Sequence, residues 1–367
     1  MADAQIILAY RRDDGIVAIP HGERYKAAHA ALADVGFRRG DDCMYHLPAG
    51  DEGASRATVA DLVRHAKAHG AEVTTSSRRF IGDTARDIAR LLPGQWEAQV
   101  ELYSHPAWQE DLVPWLWDSG ELAHAVQNER IPYAATLTDR ASETTLLLVE
   151  RPGHQLDYLV GAFTPGPFKE GYGGPHAPSS IALPPFADRA ARAITDRFVP
   201  AYEHAVHARR IATVTQALDS IRAEQANWAA IVTSGRYSDA SPLGAAALSD
   251  AAETFLYRAW PEFLSVIWHA PAFLDRCRPT ATRWPEDASV LAELADALID
   301  ADTLDRDASL TRPERDARLW AALGTWLGHS ETFLRQARAA APLQQHTVAA
   351  AAAPHQALTR GQHTPRR

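Results

Sequence analysis

Cysteine is almost missing: Cys43 and Cys277 are the whole complement, and they lie far apart in the chain. That excludes a disulfide framework and a cysteine-built metal site. No run approaches the roughly 18 apolar residues that a membrane span needs. Met1 to Tyr10 lacks the basic start and long apolar core of a signal peptide. A reduced, cytoplasmic protein without membrane contact is therefore the expectation. Also absent are a G-x-S-x-G elbow, H-E-x-x-H, a dinucleotide fingerprint, C-x-x-C and a Walker A loop. These absences point away from the common hydrolase, zinc-peptidase, dehydrogenase and nucleotidase chemistries. No catalytic residue, cofactor or metal is indicated.

Lysine is scarce as well. Of 37 basic residues only Lys26, Lys67 and Lys169 are lysines, while about one residue in five is alanine. A GC-rich coding sequence produces both biases, so an arginine surplus alone is no sign of phosphate binding. The net charge of −9 is uneven: residues 1–95 are balanced at 13 against 13, whereas 96–185 carry 4 basic and 12 acidic residues. A polyanion would be repelled by the middle and tolerated at the two ends.

What is present is 367 residues with ordinary globular proportions, 46% hydrophobic and 23% charged. The N-terminal part repeats itself. Tyr10-Arg-Arg-Asp-Asp-Gly-Ile-Val-Ala-Ile-Pro20 overlays Phe37-Arg-Arg-Gly-Asp-Asp-Cys-Met-Tyr-His-Leu-Pro48 with one inserted residue. Each copy reads as an aromatic, an Arg pair, an acidic turn, an apolar strand and Pro, followed by a helix. Gly36 and Gly70 are the C-terminal stops. Residues 71–76 form a closing strand, and Asp83 caps a short helix that ends at Pro93-Gly94. The middle is Trp-rich: a helix over 111–128 precedes two apolar runs, 144–149 and 155–163, joined by Arg151-Pro152-Gly153-His154, a hairpin buried on both faces. Residues 164–185 hold six Pro and four Gly, which suits a linker or an ordered loop. Everything from Phe186 to about Ala340 reads helical, and the Ala-, Gln- and His-rich remainder reads disordered.

The resulting fold class is α+β. Its segments are a hairpin-helix repeat module (1–94), a Trp-rich acidic segment with a buried hairpin (95–163), the Pro/Gly-rich stretch (164–185), a helical region (186–340) and a tail (341–367).

Three groups of residues carry candidate chemistry. Arg11, Arg12, Arg38, Arg39, Arg78 and Arg79 stand in pairs at strand edges. Neighbours on a strand point to opposite faces, so one Arg of each pair shares a face, with Tyr10, Phe37, Tyr45 and Phe80 as stacking partners for a nucleic-acid strand. The plainer reading is that Asp13, Asp14, Asp41 and Asp42 neutralise them as solvated turn charges. Trp115, Trp117 and Glu121 invite a ligand-pocket reading, against which stands the usual role of Trp as core filling. Glu203, His204 and His207 share a helix but lack the further ligands of a zinc site, so they read as a polar helix face. Gly171-Tyr172-Gly173-Gly174 lacks the Lys-Ser/Thr helix of a phosphate loop. Cys43 reads as a small buried strand residue.

Gly36-Phe37 to Tyr45-His46-Leu47-Pro48, then the helix over 56–69 and Gly70-Ala71-Glu72-Val73, resembles a module near the start of uncharacterised proteins of actinobacterial plasmids and integrative elements. More distantly it is similar to the HARP module of annealing helicases, which helps recognise forked DNA. Tyr45, Leu47 and Pro48 match that pattern, while Arg38-Arg39-Gly40 stands where a Trp is often found. The resemblance covers under a quarter of the chain. With the Arg pairs it implies a non-enzymatic, nucleic-acid-associated accessory protein of a mobile element, touching single-stranded or forked DNA through the N-terminal module and a protein partner through the helices. The alternatives are a protein-interaction module without nucleic-acid contact, and a ligand-binding or enzymatic middle domain.

Overall fold

The computed structural model describes residues 3–47, 51–168, 174–236, 241–275, 284–304, 306 and 309–341. Gly171 to Gly173, Cys277 and the tail from 342 onward lie outside these.

The chain is α+β. Its first sheet is built by the repeat: β1 (Gln5–Arg11), β2 (Gly15–His21) and α1 (Tyr25–Asp34), then β3 (Arg38–Arg39), β4 (Tyr45–His46) and α2 (Glu52–Ala68), closed by β5 (Glu72–Thr75). The strand order is β3-β4-β2-β1-β5, with β5 parallel to β1 and the rest antiparallel. Gly15, at φ 73°, turns the first hairpin. Both helices stop on a left-handed glycine, Gly36 and Gly70. The following amide then returns to the last turn, Phe37 to Leu32 O and Ala71 to Ala66 O. The second copy is shorter in its strands. Cys43 is exposed at φ 63° in a turn held by Gly40 and Met44, and is not a strand residue.

The second sheet is formed by β6 (Trp96–Leu102), β7 (Leu116–Trp117), β8 (Tyr133–Asp139), β9 (Thr145–Glu150), β10 (Tyr158–Phe163) and β11 (Ile181–Leu183), numbered with the helices α3 (Ile81–Leu91), α4 (Pro106–Glu110) and α5 (Glu121–Asn128). Its order is β11-β10-β9-β8-β6, antiparallel throughout, with the short β7 also on β10. The hairpin β9–β10 is covered on both faces. Leu146, Leu148 and Val160 point to one cluster and Leu147, Val149 and Leu159 to another. The first cluster also takes Val17, Ile19, α3 and the start of the helical region, so apolar packing runs continuously across residue 94.

The single helix expected over 111–128 is broken. Pro114 sits in a 3-10 turn, Val113–Trp115, and β7 follows. The buried Asp118 carboxylate accepts the amides of Ala123 (2.7 Å) and Ser180 (2.5 Å), forcing a corner before α5. At Gly120 a Cβ would lie 2.6 Å from Ser180 Oγ, so only glycine fits. Asp83 likewise departs from a capping role: it lies inside the first turn of α3 and accepts the Arg12 amide at 2.8 Å.

From 187 onward the described chain is helical: α6 (Ala187–Ala193), a π turn (Ile194–Phe198), α7 (Val199–Ser234), α8 (Ala245–His269), α9 (Pro271–Leu274), α10 (Ala288–Leu304) and α11 (Arg312–Ala339). Pro271 and Pro313 stand at helix starts, where a missing amide costs nothing, whereas Pro200 follows the π turn and Pro261 is inside α8. A separate core gathers Leu218, Phe263, Leu294 and Trp326. Among the described residues no helix is long and apolar enough to cross a membrane.

Candidate functional site

The structure sends the six paired arginines to different duties. Arg11 is tied to Asp14 (2.8 Å) and Asp42 (2.5 Å). Arg12 and Arg79, from opposite ends of the module, meet on Asp87 at 2.9 and 2.6 Å, and Arg90 joins them at 3.1 Å. Burial works to raise the Asp87 carboxyl, but the hydrogen bonds from Arg12 and Arg79 outweigh it and hold it below the ordinary value. Arg78 is largely buried. Its guanidinium donates to the carbonyls of Asp157 (3.0 Å), Arg151 (3.2 Å) and His154, and its Nε lies 3.6 Å from Glu150. Arg38 and Arg39 stay exposed on the edge strand β3, without an ion pair among the described residues. Of the aromatic partners only Tyr10 is exposed. Phe37, Tyr45 and Phe80 are core, and the Tyr45 hydroxyl meets His29 Nδ1 at 2.8 Å. The four aromatics do not share an exposed face, because Phe37 and Tyr45 pack into the layer under α1 and α2 and Phe80 packs toward α3.

Trp115, Trp117 and Glu121 are not brought together either. Trp115 is exposed and Trp117 is fully buried, with Phe168 and Tyr202 each 6.0 Å from its ring. Glu121 holds Arg151 through both oxygens at 2.6 and 2.8 Å, and that hydrogen bonding keeps its carboxyl below the usual range. His207 is buried, 2.9 Å from Ala337 O and edge-on to Phe273, while His204 is half-buried. Among the described residues no group of three or more His, Cys, Asp or Glu is placed to hold a metal.

One concave site among the described residues lies elsewhere, where α7 begins. A cavity of about 450 Å³ opens between the second sheet and the helices. Its walls are Trp96 at the start of β6, the β8–β9 turn with Ser142 and Thr144, the face of α7 bearing Tyr202, Glu203, Val206 and Arg210, and Phe273 from α9. Each wall has a local cause. Asp139 accepts from the amides of Gln95 (3.1 Å) and Ser142 (3.2 Å) and from Ser142 Oγ (2.7 Å), which freezes the turn. Hydrogen bonding by Ser142 keeps that carboxyl low. Tyr202 is buried, which pushes its phenol up, and Thr144 hydrogen-bonds to it.

Thr195, Val199, Tyr202, Val206 and Arg210 recur at helical spacing and share one face of the helix that runs through the π turn into α7. Glu203 and Arg210 stand two turns apart on that face, about 10 Å along the axis. Beside the cavity a second stack closes the junction: Arg209 lies 4.4 Å over Phe168, and Phe168 stacks on His269 at 5.0 Å. Burial, helped by Arg210 and Arg209, pushes the His269 ring down to about 4.

Sequence reasoning missed this site. The spacing 199, 202, 203, 206, 210 was available as a helical face, but a π turn has no residue signature and the other walls come from distant segments. Chemically the cavity combines three aromatic rings, hydroxyls, Arg210 and His207 with the carboxylates of Asp139 and Glu203. Asp139 is spent on the β8–β9 turn and Glu203 stands two turns from Arg210, so a ring that carries an acidic group would place that group at the Arg210 end. Set against known protein families, curated proteins and solved structures, the chain matches none.

Proposed function

We propose that this is a small-molecule-binding protein whose ligand, an aromatic or heteroaromatic ring bearing an acidic group, occupies the cavity at the start of α7. The observation that carries the reading is the cavity itself, about 450 Å³ and walled by one face of α7 and by aromatic rings from β6 and α9. Tyr202, Trp96 and Phe273 supply apolar ring surface, and Arg210 supplies the charge that fixes orientation. The test is calorimetry of the full chain with a panel of ring acids that begins with benzoate and adenosine monophosphate. Saturable binding is expected, and Val206→Trp, which fills the cavity, is expected to abolish it while leaving the melting temperature near that of the wild type. A ligand at 100 times its Kd should add about 2.7 kcal/mol of stability. Failure of the whole panel, or unchanged binding by Val206→Trp, overturns the reading.

A second reading is favoured by Arg38 and Arg39, two exposed arginines on an edge strand. It is the nucleic-acid-associated accessory protein implied by the resemblance to the HARP module and to proteins of actinobacterial mobile elements. Because the apolar packing crosses residue 94, the full chain is the object to test. Fluorescence anisotropy with single-stranded, duplex and forked DNA across a salt series should show salt-sensitive binding. Changing Arg38 and Arg39 together to Ala should reduce the slope of log K against log salt by about 2. No binding, or an unchanged slope, removes this reading.

A further inference from the structure

A second concave place lies far from α7, in the cleft between the two sheets. It measures about 320 Å³ and is walled by Thr74 of β5, His21 at the end of β2, Arg78, Arg130, Tyr133 of β8 and Glu150 of β9. We infer that this cleft binds a small oxyanion, a carboxylate or a phosphate group, between His21 and Arg130.

Two buried nitrogens are left over there. His21 is 4% exposed, and its Nε2 has no hydrogen-bond partner. Arg130 Nε is in the same condition, although the rest of that guanidinium is fully committed: Nη1 donates to Gln109 Oε1 at 2.8 Å, and Nη2 to the carbonyls of Ser104 (3.1 Å) and Tyr103. Buried polar nitrogens without partners are rare, because the water they gave up is not replaced. With the His21 proton on Nε2, an oxygen acceptor shared by the two nitrogens restores both bonds, and its negative charge is matched by Arg130.

Neither carboxylate that lines the cleft serves. Glu150 accepts from the Tyr133 hydroxyl at 2.9 Å and faces Arg78 at 3.6 Å, and Glu129 bonds to neither nitrogen. The geometry is also held rigid. Gly22, next to His21, donates its amide to Ser104 O at 2.8 Å, the same carbonyl that Arg130 grips. A Cβ on Gly22 would lie 2.5 Å from Asp3 O, so only glycine lets β2 pass this close to Asp3. His21 and Arg130 are thus referred to one carbonyl.

The charge state of His21 makes the site readable. Burial first, and the nearby Arg130 second, push its ring down to about 4. The other charged groups lining the cleft are Arg78 and Arg151 on the positive side and Glu129 and Glu150 on the negative. A bound oxyanion opposes the Arg130 effect, so the ring gains a proton more easily when the anion is present. By linkage, binding then tightens as pH falls toward the folded-state value.

The test follows the His21 ring signal by NMR in the full chain, assigned by its loss in His21→Gln. Inorganic phosphate and acetate are the two probes. The ring is expected to titrate near 4 without them. The better probe should raise that midpoint by about one pH unit. His21→Gln, read by calorimetry, should bind that probe about tenfold more weakly, as loss of a hydrogen bond to an anion implies. Arg130→Lys, which lacks Nε, should do the same. If it does not fold, His21→Gln decides alone. A response to phosphate only or to acetate only names the headgroup. An unmoved midpoint with both probes, or equal affinity in His21→Gln, overturns the inference. It stands apart from the cavity at α7, since Val206→Trp should leave the phosphate and acetate response intact.

Discussion

Arg78→Ala is expected to destabilise the protein by about 3–5 kcal/mol, the usual cost of removing one partner from a buried charged network. Its donors are spent on three backbone carbonyls of the β9–β10 connection and on Glu150, and its side chain is only 13% exposed. The residue joins the N-terminal module, at the end of β5, to the middle hairpin. Removing it takes one donor from each of those carbonyls and the countercharge from Glu150 at once. Arg78→Lys should recover only part of the loss, because one ammonium cannot reproduce the planar fork. Urea or guanidinium unfolding of both variants checks this. A loss under 1 kcal/mol for the alanine variant would mean that the guanidinium is free for other work, as the nucleic-acid reading expects of every paired arginine.

Arg78 also shows why the architecture was easier to read than the site. The hairpin-helix repeat rests on local chemistry: Gly15 turning a hairpin, and Gly36 and Gly70 ending helices at positive φ. The double-faced burial of β9 and β10 follows from continuous apolar runs, and alternation sends Leu147 one way and Leu148 the other. The duties of the arginines are not local. Arg12 depends on Asp87, 75 residues on, and Arg78 on carbonyls between 73 and 79 residues on. Identical Arg-Arg pairs therefore end as a surface cluster, a buried pin and an exposed edge. The corner at Asp118 was hidden for the same reason, because Ser180, which completes it, is 62 residues away. The π turn is a different case: its five residues are of ordinary helical composition, and Ile194 and Phe198 bury into the sheet-facing core as they would four apart on an α-helix. Nothing in their identity marks the cavity beside them.

Trp117→Ala is expected to cost about 3–5 kcal/mol, in the range for deleting a fully buried large aromatic. Trp117 is 0% exposed and stands in β7 opposite Ala162. Its ring meets Phe168 and Tyr202, and the Arg209 guanidinium lies 5.4 Å over it. The indole Nε1 has no hydrogen-bond partner, so Trp117→Phe gives up volume and ring contact but no hydrogen bond. It should cost less than half as much as the alanine change. The two variants separate core filling from ligand contact, the competing readings of this tryptophan. Tyr202 leans edge-on against Trp117 and also walls the cavity. Trp117→Ala should therefore loosen Tyr202 and weaken binding of the ring-acid panel in step with the loss of stability. Trp117→Phe should keep most of both. If Trp117→Phe instead lost binding at near wild-type stability, the indole itself would touch the ligand, and the binding site would extend through β7 toward Phe168 rather than end at Tyr202.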